Sequence, residues 1–173
     1  MRSPYRAVCP RIAQYSEIYP DLLPIREPAI VFEFVAFTRD GDIRIHDWEE
    51  LGDYSVGHLT GSVILTRNAQ QYAGSVTVVK NVNQLFRLLD LELGRIDVVL
   101  IERWTGLYML KTLGCKGIHM QQPALERQPL YFSVNRQHAT LVPRIEAALR
   151  EMKSDGTYDR TMVRILNPLP VGF

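Results

Sequence analysis

The chemistry open to this chain concentrates in two short stretches, Thr60-Gly61-Ser62 and Asp97–Glu102. In the first, a glycine between two hydroxyl residues permits a tight turn ahead of a helix-forming run. That arrangement aims backbone N–H groups and the positive end of a helix dipole at open space, which suits an anionic group. The hydroxyl and amide of Ser62 would hold a carboxylate or phosphate. The same residues also make an ordinary helix cap, and spacing alone favours the cap. No Lys-Ser/Thr pair follows the glycine, so the turn is not a P-loop.

In the second stretch, Asp97 opens an apolar run and Glu102 closes it. Open α/β sheets place their ligand sites at strand carboxyl ends, so Glu102 falls on the same sheet edge as the Gly61 turn. An acidic group there suits a ligand cation, or equally the first turn of the next helix. Asp97, at the far end, reads as structural. Trp104 and Tyr108 follow Glu102 on one helix face and serve as core or as pocket wall. Arg67 and Asn68 read most simply as a solvated helix face. His46, His58, His119 and His138 form no metal pattern, and His58 is expected to be partly buried and neutral within a strand. A hydrolase triad from Ser62, Glu102 and a histidine lacks the Gly-x-Ser-x-Gly elbow. No catalytic step, cofactor or metal is expected.

The elements that must position these residues follow from hydrophobic periodicity. Residues 1–26 offer only a brief helix around Arg11–Tyr19, and Ala29–Phe37 is a long apolar strand broken only by Glu33. Asp40-Gly41-Asp42 turns the chain, and Asp47 with Glu50 marks a capping box on a one-turn helix. Strands are then expected at Tyr54–Leu59, Val76–Val79, Ile96–Ile101, Gly117–Met120 and Leu130–Val134. Helices are expected at Ser62–Gln70, Val82–Leu91 and Arg103–Leu113. A last helix over Thr140–Ser154 carries Leu141, Ile145, Ala148, Leu149 and Met152 on one stripe and stops at Asp155-Gly156. Strands alternating with helices predict an α/β fold with a largely parallel sheet.

Composition sets outer bounds. With 173 residues, 46% of them hydrophobic, the chain can bury a core, and its length favours one domain. A net charge of +1 gives no electrostatic footprint for nucleic acid. The two cysteines, Cys9 and Cys115, give neither a disulfide framework nor a metal spacing. Met1–Pro10 carries charge but no apolar run, so it reads as no secretory signal as it stands; the expectation is a cytoplasmic chain or a processed or truncated form.

Three motifs together resemble a known family. They are Asp47-Trp48-x-x-Leu51-x-x-Tyr54-x-Val56-Gly57-x-x-x-Gly61-Ser62, then Gly94-Arg95-Ile96-Asp97 running on to Glu102, and the tail from Ala147 through Asp155-Gly156-Thr157-Tyr158. In this order and spacing the sequence resembles type II periplasmic solute-binding proteins, in particular those of polar amino acid ABC uptake systems. The resemblance implies a periplasmic-binding-protein-like II fold, N-terminally truncated, with most of the first lobe missing. Residues 1–28 would be its remnant, 29–130 the second lobe with a crossing strand at each end, and 131–173 a strand and helix that belong with the first lobe.

It further implies a small polar, amino-acid-like solute, an ABC permease as partner and a periplasmic location. The solute's carboxylate would fall to Gly61 and Ser62 and its ammonium to Glu102. The candidate ligand-binding set is then Thr60, Gly61, Ser62, Glu102, Arg11 and Arg67, with Trp104 and Tyr108 as wall. Two positions depart from the family pattern: Val63 stands where a threonine is usual, and Glu102 where an aspartate is. Without a first lobe to cover it, the stripe Leu141–Ile145–Leu149 is expected to drive self-association, as a homodimer or by exchange of elements. Two other functions share the fold, a ligand-sensing or dimerisation module and a dehydratase-like enzyme with Glu102 as its carboxylate.

Overall fold

The computed structural model describes residues 7–12, 15–39, 41–90 and 95–166. Several sequence expectations therefore touch residues outside the described ones: the first six residues, positions 13 and 14 of the early helix, Asp40 of the turn, Leu91 at a helix end, and Gly94 of the second motif. The elements run β1 (Ala7–Arg11), α1 (Tyr15–Ile18), β2 (Leu22–Pro24), β3 (Ile30–Thr38), β4 (Ser55–Leu59), α2 (Val63–Tyr72), β5 (Ser75–Val79) and α3 (Val82–Asp90). They continue with β6 (Val98–Glu102), α4 (Arg103–Leu113), β7 (His119–Met120), β8 (Glu126–Asn135), α5 (Val142–Ser154) and α6 (Thr157–Leu166). Two compact units divide the chain. Residues up to Phe32 and from Gln128 to Asn167 form the first, and Glu33–Arg127 the second.

The second unit is built on side-chain alternation. Successive strand residues point to opposite faces, so β3 sends Val35 and Phe37 to one side and Ala36 to the other. In β6, likewise, Val99 and Ile101 oppose Val98 and Leu100. One face packs with Leu85, Phe86 and Leu89 of α3 and with Leu107 and Met109 of α4. The other packs with Leu65 and Ala69 of α2, and with Ile45 and Leu51. Five consecutive buried residues in β6 are what a strand covered on both faces requires. Gly106 of α4 lies so close to the sheet that a Cβ there would overlap the ring of Phe37.

The sheet is mixed rather than largely parallel. β4 pairs in parallel with β5 and β6, whereas β3 runs antiparallel to β6 and to β7. Parallel neighbours need a crossover element; α2 joins β4 to β5, and α3 joins β5 to β6. Between β3 and β4 the described residues form a single 3-10 turn, Glu49–Leu51. The capping box of that turn is shifted by one residue. Asp47 accepts from the Glu50 amide at 3.1 Å, but the Glu50 carboxylate reaches the amide of His46, at 2.6 Å, and is held below its usual pKa mainly by that bond.

In the first unit, β1 and β2 both pair antiparallel with β8. Neither strand was expected from sequence, and the early helix shortens to Tyr15–Ile18. Leu22, Ile25, Ala29, Leu130 and Val134 are buried there. Gly156 turns the chain at φ +74°, as the stop signal predicts, yet helix resumes at once as α6. Asp155 accepts from the Thr157 amide at 2.7 Å, so the expected terminator also starts a helix.

The Tyr158 hydroxyl of α6 donates to the Ala29 carbonyl at 2.9 Å. Burial, then the charge of Asp159, pushes its phenol pKa up. The fold therefore favours the neutral phenol. That contribution is intact below the ordinary phenol range, about pH 10, and is lost as pH rises through the raised value. Tyr158→Phe is expected to cost about 1 kcal/mol at neutral pH and to remove this alkaline component. Urea midpoints for both proteins at about pH 8 and about pH 11 measure it.

Candidate functional site

Parallel pairing of β6, β4 and β5 brings three strand carboxyl ends to one edge, each followed by a helix N-terminus. β4 passes through Thr60-Gly61-Ser62 into α2, β5 through Lys80-Asn81 into α3, and β6 ends on Glu102 at α4. The register sets His58 level with Leu100; carried on two residues, it sets Thr60 level with Glu102, with neighbouring strands about 4.8 Å apart. The Gly61 turn and Glu102 thus share one sheet edge.

Each helix start is capped by its own sequence. Ser62 Oγ accepts from the Leu65 amide at 3.3 Å, and Asn81 Oδ1 from the Asn83 amide at 2.8 Å. Glu102 takes three bonds: Trp104 N–H at 3.0 Å on one oxygen, and the amide and hydroxyl of Thr105, both at 2.9 Å, on the other. Glu102 is therefore an N-cap, 8% exposed, with most of its accepting capacity spent on α4. Three helix dipoles direct partial positive charge to this edge.

Gly61 adopts φ +96°, and a Cβ there would meet nothing within 4 Å. The backbone angle demands glycine, and the space beyond the turn is open. Thr60 and Gly61 are exposed and Ser62 half-buried. The first intrahelical bond of α2 runs from Thr66 N–H to the Ser62 carbonyl at 3.0 Å, so the amides of Val63 and Ile64 precede the helical ladder. Since the cap uses Ser62 Oγ only as an acceptor, its O–H remains a donor.

The other predicted residues are more scattered. Arg67 is exposed on the second turn of α2, and Val63 is 81% exposed. Trp104 packs against the core, while Tyr108, one turn on, is exposed. Arg11 belongs to the first unit, where it is exposed on β1 and donates to the Pro10 carbonyl at 3.0 Å. Asp97 accepts from the amide and hydroxyl of Ser55, at 2.8 and 2.6 Å, tying the start of β6 to that of β4. His58 is fully rather than partly buried; Nδ1 lies 2.9 Å from the Leu59 carbonyl, and Nε2 has no protein partner.

Sequence reasoning missed an ion cluster next to this edge. Glu33 sits between Arg103 and Arg127, 2.7 Å from each. Its one visible signal was a lone charge inside an apolar strand, which in a folded chain calls for a partner. Among the described residues no group of three or more His, Cys, Asp or Glu could hold a metal ion. No described helix is long and apolar enough to cross a membrane.

No protein-family model matches the chain. An uncharacterized protein of Shewanella oneidensis is 23% identical over 154 residues, 87% of this chain and 58% of that one. The L-cystine-binding protein TcyA of Bacillus subtilis is 29% identical over 103 residues, 58% of this chain and 38% of that one. The chain thus spans well under two thirds of either relative's length. Among solved structures, an ancestral arginine-binding protein bound to arginine superposes with a TM-score of 0.63 at 23% identity, covering 88% of this chain and 67% of that one. The GluR0 ligand binding core with L-glutamate reaches 0.71 at 11% identity, covering 91% and 69%. These likenesses establish the fold.

Proposed function

We propose that this chain, which has the type II periplasmic-binding-protein fold, binds a small polar, amino-acid-like solute at the carboxyl edge of β6, β4 and β5. The second unit stands for the second lobe of that fold. The solute's carboxylate is held by the Val63 and Ile64 amides and by the hydroxyls of Ser62 and Thr60, with Arg67 adding positive charge from α2. Glu102 retains one of about four acceptor sites for an ammonium group, so the anionic end carries most of the affinity. Delivery to an ABC permease in the periplasm completes the reading. The observation that carries it is the Gly61 turn, open to solvent at the meeting point of three helix N-termini.

The test is calorimetric titration of the wild-type chain, Ser62→Ala and Ser62→Thr with a set of L-amino acids. Loss of one hydrogen bond should weaken binding by about 1 kcal/mol, or roughly fivefold, in the alanine variant only. Because Ser62 also caps α2, all titrations are run well below the unfolding midpoint. Equal affinity across the three proteins would count against the site.

A ligand-sensing module is a second reading, favoured by the superposition on the GluR0 ligand binding core. Genomic fusion or pairing with a signalling output, in place of a permease, distinguishes it.

A further inference from the structure

Helix α5 is attached by its charged side and turns its apolar side outward. Glu146 accepts from the Arg26 amide at 2.8 Å, Arg150 and Lys153 both pair with Glu27, and Lys153 also donates to the Pro28 carbonyl at 2.7 Å. The opposite side presents Leu141, Ile145, Ala148, Leu149 and Met152 along an open groove that Arg144 flanks, and no residue of α5 is buried. A surface helix of a globular protein has the reverse polarity.

The stripe has a second property, self-complementarity. Leu141, Ile145, Ala148 and Met152 recur at intervals of four, three and four, the spacing of a coiled-coil seam. Arg144 and Glu151 lie seven residues apart on the same flank of that seam, on successive pairs of turns. Neither takes part in an ion pair among the described residues. Suppose two such helices pack antiparallel about a two-fold axis. Ile145 of one copy then faces Ala148 of the other, and Leu141 faces Met152. The same register sets Arg144 of each copy against Glu151 of the other, twice over. In a parallel pair, Arg144 would instead lie level with Arg144.

We propose that α5 is a dimerisation surface whose occupant is α5 of a second copy of this chain, packed antiparallel in an isologous interface. Charge pattern and seam spacing specify the same register independently. The proposal does not depend on solute binding.

Sedimentation equilibrium of the full chain at roughly 1–100 µM, a range that detects micromolar dissociation constants, tests it. The wild-type chain is expected to dimerise. Arg144→Glu turns two attractions into two repulsions and should weaken the dimer about tenfold, less at high salt; Glu151→Arg should do the same. The two single variants mixed together restore both ion pairs and should form a heterodimer with wild-type affinity, as should the double variant with itself. Both positions are on the helix surface, and unchanged circular dichroism verifies the fold. A wild-type chain that stays monomeric, its stripe free for some other surface, overturns the proposal. So does a dimer indifferent to the two charge reversals, or a mixture no tighter than its components.

Discussion

Phe37→Ala is expected to lower stability by about 3–5 kcal/mol, the range for deleting a fully buried aromatic side chain. Phe37 is 0% exposed, meets the Phe86 ring edge-on with centroids 5.7 Å apart, and fills the space against Gly106 where α4 crosses the sheet. The same contact makes Gly106→Ala destabilising even though alanine is the better helix former. Overpacking costs about 1–3 kcal/mol, and the propensity gain is only about 1 kcal/mol. The aromatic ring is rigid, so the overlap cannot be relieved by a small rotation. In a Phe37→Leu background the obstacle shrinks, and Gly106→Ala should then cost less, with a coupling of about 0.5–3 kcal/mol. Urea midpoints of the four proteins measure this. Equal cost in both backgrounds would show that the ring is not what demands glycine.

Glu102→Ala is expected to cost about 2–3 kcal/mol in ligand-free protein, combining a lost N-cap with bonds to an ionised acceptor. Its carboxylate satisfies two first-turn amides and a hydroxyl on α4, and alanine leaves all three without that partner. Glu102→Gln should fall between, because the amide oxygen still accepts while the amide NH2 cannot. Thermal or urea unfolding without solute is the measurement. A loss below a few tenths of a kcal/mol would mean that α4 does not need the cap, leaving the carboxylate uncommitted. The consequence for recognition is direct: with three bonds committed to the start of α4, Glu102 can offer an ammonium only its one remaining acceptor site.

Much of the second unit was legible in the sequence because each element there agrees with its local signals. The apolar run of β3, the Ser62 cap of α2 and the end of α4 at Leu113 all coincide with the observed boundaries to within a residue or two. The first unit was less legible. β1 and β2 are short, contain Pro10 and Pro24, and exist because β8 offers them ladder partners more than a hundred residues away; nothing local announces such pairing. Strand direction was also hidden, since the hydrophobic run of β3 is the same whichever way its neighbour points.

The candidate site was legible as a list of residues but not as a set of bonds. Sequence named Ser62 and Glu102 and left capping and ligation as alternatives. The structure resolves the capping bonds of both, and these leave Ser62 a free O–H and Glu102 little spare capacity. The Glu33 cluster was missed because its partners lie at Arg103 and Arg127, and only folding brings positions so far apart in sequence together.

The ion pair between Glu33 and Arg127 joins the two ends of the second unit, and the Leu125 amide donates to the Phe34 carbonyl at 2.9 Å beside it. The second unit is therefore an insertion whose entry and exit are already fastened together. This bears on the cost of assembly. In an open chain, bringing β8 back to β1 and β2 means closing a loop the length of the whole insertion, an entropic cost on the order of 4 kcal/mol. Once the inserted unit has folded, its fastened ends have met that cost, and the two halves of the first unit leave it as near neighbours. The closure cost of the split unit is thus met largely within the inserted segment, whose ends the β3 backbone bond and the Glu33–Arg127 pair hold together.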